Sequence, residues 1–292
     1  MGLTETSAGI GPLSAREFAQ IQKLAYEKFG LSLRDGKETL VSARLNKTIR
    51  RLNFTSFQQY FQFVCDDTSG AALTELIDAL TTNHTSFFRE AGHFEFLTQT
   101  ILPAVRERDT IAIWSAACSS GEEPYSIAFE MLDNLGEAAF AKVRILATDI
   151  STRMLDLARQ ATYPAERFSG VPLERLRRYV LRGAGESSGL YRVKPHIRAA
   201  VEFARVNLME SLSQFGPFSV IFCRNVMIYF DKPTQQDLVG RLTDCLEPGG
   251  HLFIGHSESL NNVKHSLQYV RPAIYRKNPG GELRLTGGLG RR

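Results

Sequence analysis

Ile111-Ala-Ile-Trp-Ser-Ala-Ala-Cys-Ser-Ser-Gly-Glu-Glu-Pro-Tyr125 is the stretch that decides the fold. Ile111 to Trp114 is a short apolar run with the length of a buried strand. It passes into small residues, Ser115 to Gly121, where backbone can approach a ligand closely. Tyr125 to Leu135 then reads as a helix. The same alternation continues downstream. Val143-Arg-Ile-Leu-Ala147, Phe218-Ser-Val-Ile-Phe222 and His251-Leu-Phe-Ile254 read as strands, with helix-like Arg153 to Arg159 and Thr234 to Leu246 between them. Short apolar strands alternating with helices predict an α/β domain with a parallel sheet covered on both faces. Glu247-Pro-Gly-Gly250 reads as a helix stop, and Gln268 to Arg276 as a further edge strand.

Upstream, the pattern is purely helical. Ser14-Ala-Arg-Glu17 fits a capping box ahead of Phe18, Ile21 and Leu24. A second helix starts near Lys37 and carries Val41, Leu45, Ile49 and Leu52. Phe57, Tyr60, Phe61 and Val64 mark a third, and Leu73, Leu76, Ile77 and Leu80 a fourth, each with one apolar face. Residues 1–80 therefore read as a helical N-terminal domain, 81–91 as a linker and 92–277 as the α/β domain. Residues 163–203 interrupt the alternation with a basic helix, Pro172 to Val180, and two apolar-tipped segments around a glycine-rich turn. That pattern predicts a small antiparallel hairpin grafted onto the main sheet. Residues 278–292, rich in glycine and charge, read as a disordered tail.

Composition narrows the class. The chain has 292 residues, 43% apolar and 23% charged, and a net charge of +4, so its global charge demands no nucleic-acid partner. Cys65, Cys118, Cys223 and Cys245 form no CxxC or metal-ligand pattern, so a reduced, cytoplasmic, metal-free protein is expected. Met1 to Pro12 lacks the features of a secretory signal, and no stretch approaches the roughly 18 apolar residues that span a bilayer.

In open α/β sheets ligands bind beyond the C-terminal ends of the strands. The first strand ends in the small-residue loop, and the second in Ala147-Thr-Asp149, an acid placed to accept hydrogen bonds from ribose hydroxyls. The loop is not GxGxxG, which weakens a dinucleotide reading and leaves a nucleoside ligand such as S-adenosylmethionine. An ordinary βα turn with a helix-capping aspartate is the alternative. Thr81-Thr-Asn-His-Thr-Ser-Phe-Phe-Arg-Glu90 offers Asn83, Thr85 and Arg89 beside an apolar anchor, though such a segment also suits a solvated linker. Phe222-Cys-Arg-Asn-Val-Met-Ile-Tyr-Phe-Asp231 puts Arg224 and Asn225 at a strand end; Tyr229 suits either a site or a core position with a satisfied hydroxyl.

Together these segments resemble the CheR-type chemotaxis receptor methyltransferases. The resemblance rests on Leu80-Thr-Thr-Asn83, Thr85-Ser-Phe-Phe-Arg-Glu90, Trp114 to Ser126, Ala147-Thr-Asp-Ile150, Val206-Asn-Leu208, Phe222 to Phe230 and Gly255-His-Ser-Glu258, in the family's order over most of the chain. His84 and Ser120 depart from the usual pattern without removing a functional group. The resemblance implies a Rossmann-like S-adenosylmethionine-dependent methyltransferase domain with an inserted antiparallel β-subdomain, preceded by a small all-α domain. It implies cofactor contacts at Asn83, Thr85, Arg89, Glu123, Asp149, Asn207, Leu208, Arg224 and Asn225, the linker contributing some of them. Asp149 would hold the ribose, Glu123 the amino-acid end, and Asn207 and Leu208 the adenine. Arg89 and Tyr229 would face the methyl group and the incoming glutamate carboxylate.

Substrate recognition is expected in two places. Arg44, Lys47 and Arg51 share a helix face opposite Val41, Leu45 and Ile49, either simply solvated or complementary to an acidic receptor helix. The hairpin with Gly183, Gly185 and Gly189 resembles the family's β-subdomain, which in some members docks a receptor's C-terminal pentapeptide along a sheet edge. Expected partners are methyl-accepting chemotaxis receptors, with no nucleic acid, no membrane insertion and a monomeric enzyme. A methyltransferase for RNA or a small molecule, and a non-catalytic cofactor sensor, are the competing readings.

Overall fold

The computed structural model describes residues 10–280, which fall into two units: 10–83 with Tyr229–Asp231, and His84–Ile228 with 232–280. The expected tail lies, from residue 281 on, outside the described residues.

The first unit holds α1 (Ala15–Phe29), α2 (Glu38–Arg51), α3 (Phe57–Asp66) and α4 (Ala71–Leu80). The Ser14–Glu17 capping box forms as expected: the Ser14 hydroxyl accepts from the Glu17 amide at 3.3 Å, and the Glu17 carboxylate accepts from the Ser14 amide at 2.9 Å. Each helix turns one apolar face inward, with Ile21, Leu45, Ile49, Tyr60 and Leu76 buried together in this unit. Tyr229 to Asp231 joins it through a bridge between Leu31 and Phe230 and a 2.8 Å bond from the Ser32 amide to the Tyr229 carbonyl.

In the second unit, α5 (Ala91–Phe96) runs through a π-helical turn at Leu97–Ile101 into α6 (Leu102–Val105). There follow β1 (Ile111–Ala116), α7 (Glu122–Phe140), β2 (Val143–Asp149), α8 (Thr152–Gln160), β3 (Thr162–Pro164), α9 (Leu173–Tyr179), β4 (Val180–Arg182), β5 (Leu190–Val193), α10 (Pro195–Arg198) and β6 (Val201–Arg205). The chain closes with β7 (Phe218–Cys223), α11 (Lys232–Asp244), β8 (Leu246–Phe253), β9 (Gln268–Arg271) and β10 (Ile274–Arg276). The main sheet has the order β6-β2-β1-β7-β8-β10-β9; the first five run parallel, and β10 and β9 close the edge antiparallel. Trp114, fully buried in β1, donates its indole N–H to the Thr148 hydroxyl at 2.9 Å, which satisfies its one polar atom inside the core.

Three boundaries differ from the sequence expectation. Val201-Glu-Phe-Ala-Arg205 belongs to the main sheet as its edge strand; half-solvated, it alternates polar and apolar and lacks the continuous run that marks β1 or β7. Gln268 to Arg276 forms two strands, turning at Ala273 with φ 64°. Glu247-Pro-Gly-Gly250 lies inside β8, absorbed by a register shift opposite Phe218 and Val220.

The insert is a small antiparallel sheet, β3-β5-β4. It is pinned to α7 by the Arg175 guanidinium, 2.9 Å from Asp133 and 2.8 Å from Glu130, and by the Tyr179 ring stacked on Phe129 at 4.2 Å.

Candidate functional site

From β1 the chain builds outward through β2 and β6, then crosses back to place β7 on the other side of β1. The crevice at the C-terminal ends of β1 and β7 is therefore the switch point where such sheets bind ligands. Backbone strain gathers around it. Of the nine non-glycine residues with positive φ among the described residues, five lie in its loops: Phe88, Glu90, Ala117, Ser119 and Asn225. Left-handed non-glycine residues persist where the surrounding structure over-determines them, commonly at functional sites.

The loop after β1 turns through Ala117, Ser119 and Gly121, with φ of 63°, 50° and 95°. At Gly121 a Cβ would sit 2.8 Å from the Ala158 Cβ and 2.9 Å from the Tyr163 hydroxyl, so only glycine lets α7 start there. Asp149 ends β2, buried, with one oxygen accepting the Ser119 amide at 2.8 Å and the other the Ser151 amide at 2.9 Å. Those two amides orient the carboxylate rigidly toward the loop. The helix-capping alternative does not describe it, since Ser151 itself caps α8 through the Met154 amide.

Across the crevice, Arg224 follows β7 and is almost wholly buried. Its guanidinium lies 2.9 Å from Glu123 on α7 and 2.9 Å from Glu90, and donates at 2.6 Å to the Arg89 carbonyl. Glu123 also accepts the Ser115 hydroxyl at 2.7 Å. Two carboxylates against one guanidinium leave the trio with net negative charge. Burial raises the Glu90 carboxyl, but the Arg224 charge and hydrogen bond and the His256 amide outweigh it and hold the group below the usual range. Glu258 caps the loop after β7: it accepts the Asn225 amide at 2.9 Å, the Gly255 amide at 2.6 Å and the Ile228 amide at 3.2 Å. Burial dominates there and pushes its carboxyl up.

The remaining expected residues distribute as follows. Thr85 is buried, its carbonyl accepting from Arg167 at 3.1 Å, and Arg89 donates to the His84 carbonyl at 2.9 Å. Asn207 accepts the Met209 amide at 3.0 Å, and Leu208 is buried. Both lie in the turn beyond β6, the strand beside β2. Asn83 closes the helical unit. Tyr229 clusters with that unit, half-buried, its hydroxyl accepting the Thr82 amide at 3.0 Å and donating to the Thr82 carbonyl at 3.2 Å. Its hydroxyl is thus satisfied, but the residue is not a core residue.

On α2 the basic face is less open than its sequence implies. Arg44 donates to the Leu80 carbonyl and, at 2.9 Å, to the Thr82 hydroxyl; Arg51 pairs with Glu75; Lys47 is exposed. In the insert, a Cβ on Gly183 would meet the Ser187 carbonyl oxygen at 2.1 Å, and Gly185 and Gly189 have φ of 57° and 84°, so the turn alone accounts for these glycines. Sequence reading assigned no role to Glu90, Glu258 or Ser115. Glu90 and Glu258 stand inside recognisable motifs, but only the folded loops reveal which partners they hold.

A doubly wound sheet, a strained small-residue loop after β1 and a buried aspartate closing β2 define the class: an α/β domain built around a nucleoside cofactor. Two family models match the chain, the CheR methyltransferase SAM-binding domain over residues 83–275 and the CheR methyltransferase all-alpha domain over residues 16–81. The chain belongs to the CheR methyltransferase family and is an S-adenosylmethionine-dependent methyltransferase. Among its relatives, chemotaxis protein methyltransferase 2 of Pseudomonas aeruginosa is 42% identical over 260 residues, covering 89% of this chain and 92% of that protein. The chemotaxis protein methyltransferase of Salmonella typhimurium is 40% identical over 264 residues, with 90% of each chain covered. That of Escherichia coli is 39% identical over 264 residues.

Proposed function

We propose that this protein transfers the methyl group of S-adenosylmethionine to glutamate carboxylates of chemotaxis receptors, giving methyl esters for sensory adaptation. The observation that carries the reading is the buried Arg224 held between Glu90 and Glu123 at the switch point, with Asp149 fixed at the end of the neighbouring strand. This donor set fits the cofactor's parts: a carboxylate for ribose hydroxyls, a carboxylate for an ammonium, and a guanidinium for a carboxylate.

When bound, S-adenosylmethionine supplies an electrophilic methyl on a positively charged sulfur. Asp149 accepts from the ribose, Glu123 meets the ammonium, and Arg224, Asn225, Asn83, Thr85 and Arg89 complete the cofactor contacts. Asn207 and Leu208 border the adenine. A glutamate side chain titrates near pH ~4.3, so the nucleophile arrives ionised and no general base is needed. What the protein contributes is alignment, which can lower a barrier by about 7–11 kcal/mol, together with exclusion of water. Arg89 orients the carboxylate; its tie to the His84 carbonyl limits how tightly it can pair, and a tight ground-state ion pair would slow transfer. Tyr229 gives a second hydrogen bond, exchanging the Thr82 carbonyl for the substrate.

Lys47, with Arg44 and Arg51, meets the acidic methylation helix of a receptor, and the sheet edge beside Gly183, Gly185 and Gly189 takes an extended C-terminal peptide. Among the described residues no helix is long and apolar enough to cross a membrane, and the enzyme is read as a cytoplasmic monomer. The test is peptide mass spectrometry of a receptor's cytoplasmic domain incubated with enzyme and cofactor. A one-methyl mass increase on glutamate, lost in Asp149→Ala and reduced in Arg89→Ala and Tyr229→Phe, is the expected result. Methylation at another residue type would overturn the reading.

A further inference from the structure

Outside the methyl-transfer roles, the structure gathers three metal-ligating side chains that lie far apart in the chain: Glu90, His93 and His256. Glu90 is the left-handed N-cap of α5, with φ 61° and ψ 63°, and His93 lies in the first turn, its amide donating to the Glu90 carbonyl at 2.9 Å. His256 reaches the same point from the loop after β8. One ligand atom from each residue lies within 4.8 Å of the other two. The Glu90 Oε2 is 3.5 Å from the His93 Nδ1 and 3.9 Å from the His256 Nε2.

A tetrahedral ion with bonds near 2.0 Å to nitrogen and oxygen needs ligand atoms about 3.3 Å apart. Two separations, 3.5 and 3.9 Å, are near that value, while the three atoms together lie within 4.8 Å of one another, so the ligands must draw inward to share an ion. The shift they require falls on His256, whose side chain is 55% exposed and sits on a loop. His93 supplies the independent observation. It is 1% exposed, and neither ring nitrogen has a hydrogen-bond partner. A buried imidazole without a partner is rare enough to need a reason.

We propose that Glu90, His93 and His256 form a site for a divalent transition-metal ion of the zinc type, with a fourth position open on the exposed His256 side. Two imidazoles and one carboxylate are a common donor set for such ions. Arg224 does not block it. The Arg224 guanidinium donates to the same Glu90 oxygen, Oε2, at 2.9 Å and is also paired with Glu123; a carboxylate oxygen has lone pairs for both a donor and an ion. Arg271, bonded to the Gly92 carbonyl and stacked 4.5 Å over Phe96, adds an opposing positive charge. Both positive charges weaken the attraction for a cation there. Because Glu90 also holds Arg224, occupancy is coupled to the crevice.

The test is titration of tag-free, metal-stripped full-length protein with zinc chloride by calorimetry, repeated with cobalt(II) while visible absorption is recorded. One ion per chain is expected, with d–d bands of a low-coordinate cobalt centre. His256→Ala, at an exposed position and checked for folding by its melting temperature, should weaken zinc binding at least 10-fold and abolish the bands. His196→Ala, an exposed histidine in the insert, should bind as wild type. Equal zinc binding in wild type and His256→Ala, or no stoichiometric binding up to millimolar zinc, would overturn the site. Neither readout needs methyl transfer, so the outcome is independent of the proposed substrate.

Discussion

At the scale of single residues, two carboxylates hold the site in different ways. Asp149 is fixed by two backbone amides, so Asp149→Asn must turn an NH2 group toward one of them. An unpaired buried donor costs about 1–3 kcal/mol, so cofactor affinity should fall roughly 10- to 100-fold by calorimetry while the fold survives. Glu258 supports the loop of Arg224 and Asn225 through three amides. In Glu258→Gln the single acceptor oxygen can serve the Asn225 and Gly255 amides, leaving the Ile228 amide facing NH2. Chemical denaturation should show a loss of about 1–3 kcal/mol, and an unchanged midpoint would contradict the capping role. The place of Asp149 at the end of the second strand was legible in the sequence; that two backbone amides fix its carboxylate was not. Glu258 was not, since its partners are backbone amides and leave no pattern of residue types.

At the scale of elements, the loop between β1 and α7 is the most constrained piece. Gly121→Ala would combine a left-handed alanine with clashes against Ala158 and Tyr163. The expected cost is about 1–3 kcal/mol in stability, with weakened cofactor binding, read by thermal melting and calorimetry. On α2 the basic face divides: Arg44 and Arg51 have intramolecular partners, so Lys47 is its most available charge. Lys47→Glu should slow receptor methylation at low salt and lose that effect at high salt. Equal rates for both forms at low salt would remove α2 from the receptor interface. Elements buried on both faces, β1 and β7, were legible as apolar runs. The edge strand β6 was not, because half its side chains meet water and its polar alternation hides it.

At the scale of the whole molecule, the order of helical unit, sheet and insert was readable from periodicity alone, since 3.6- and 2-residue repeats follow from what each element buries. The meeting of Glu90, His93 and His256 was not readable, because it depends on which loops the sheet order brings together. Two histidines, one buried and one half-buried, set an acid limit on stability. His93 is pushed down to about 3, by burial first and then by Arg224, and His251 to about 4, by burial and then Arg276, each from 6.5. The folded protein therefore disfavours their protonation. The stability they support is full above pH 6.5 and is lost as pH falls toward 4 and below. Urea midpoints should decline over that range, and His251→Gln should flatten the decline without changing the midpoint at pH 8.

The central claim, carboxyl methylation of a receptor, is tested most directly by incubating the enzyme with radiolabelled S-adenosylmethionine and receptor-containing membranes, then exposing the product to mild alkali. The account predicts label on a receptor-sized band that alkali releases as methanol, with no label transferred by Asp149→Ala. Alkali-stable label, or label in RNA, would contradict it.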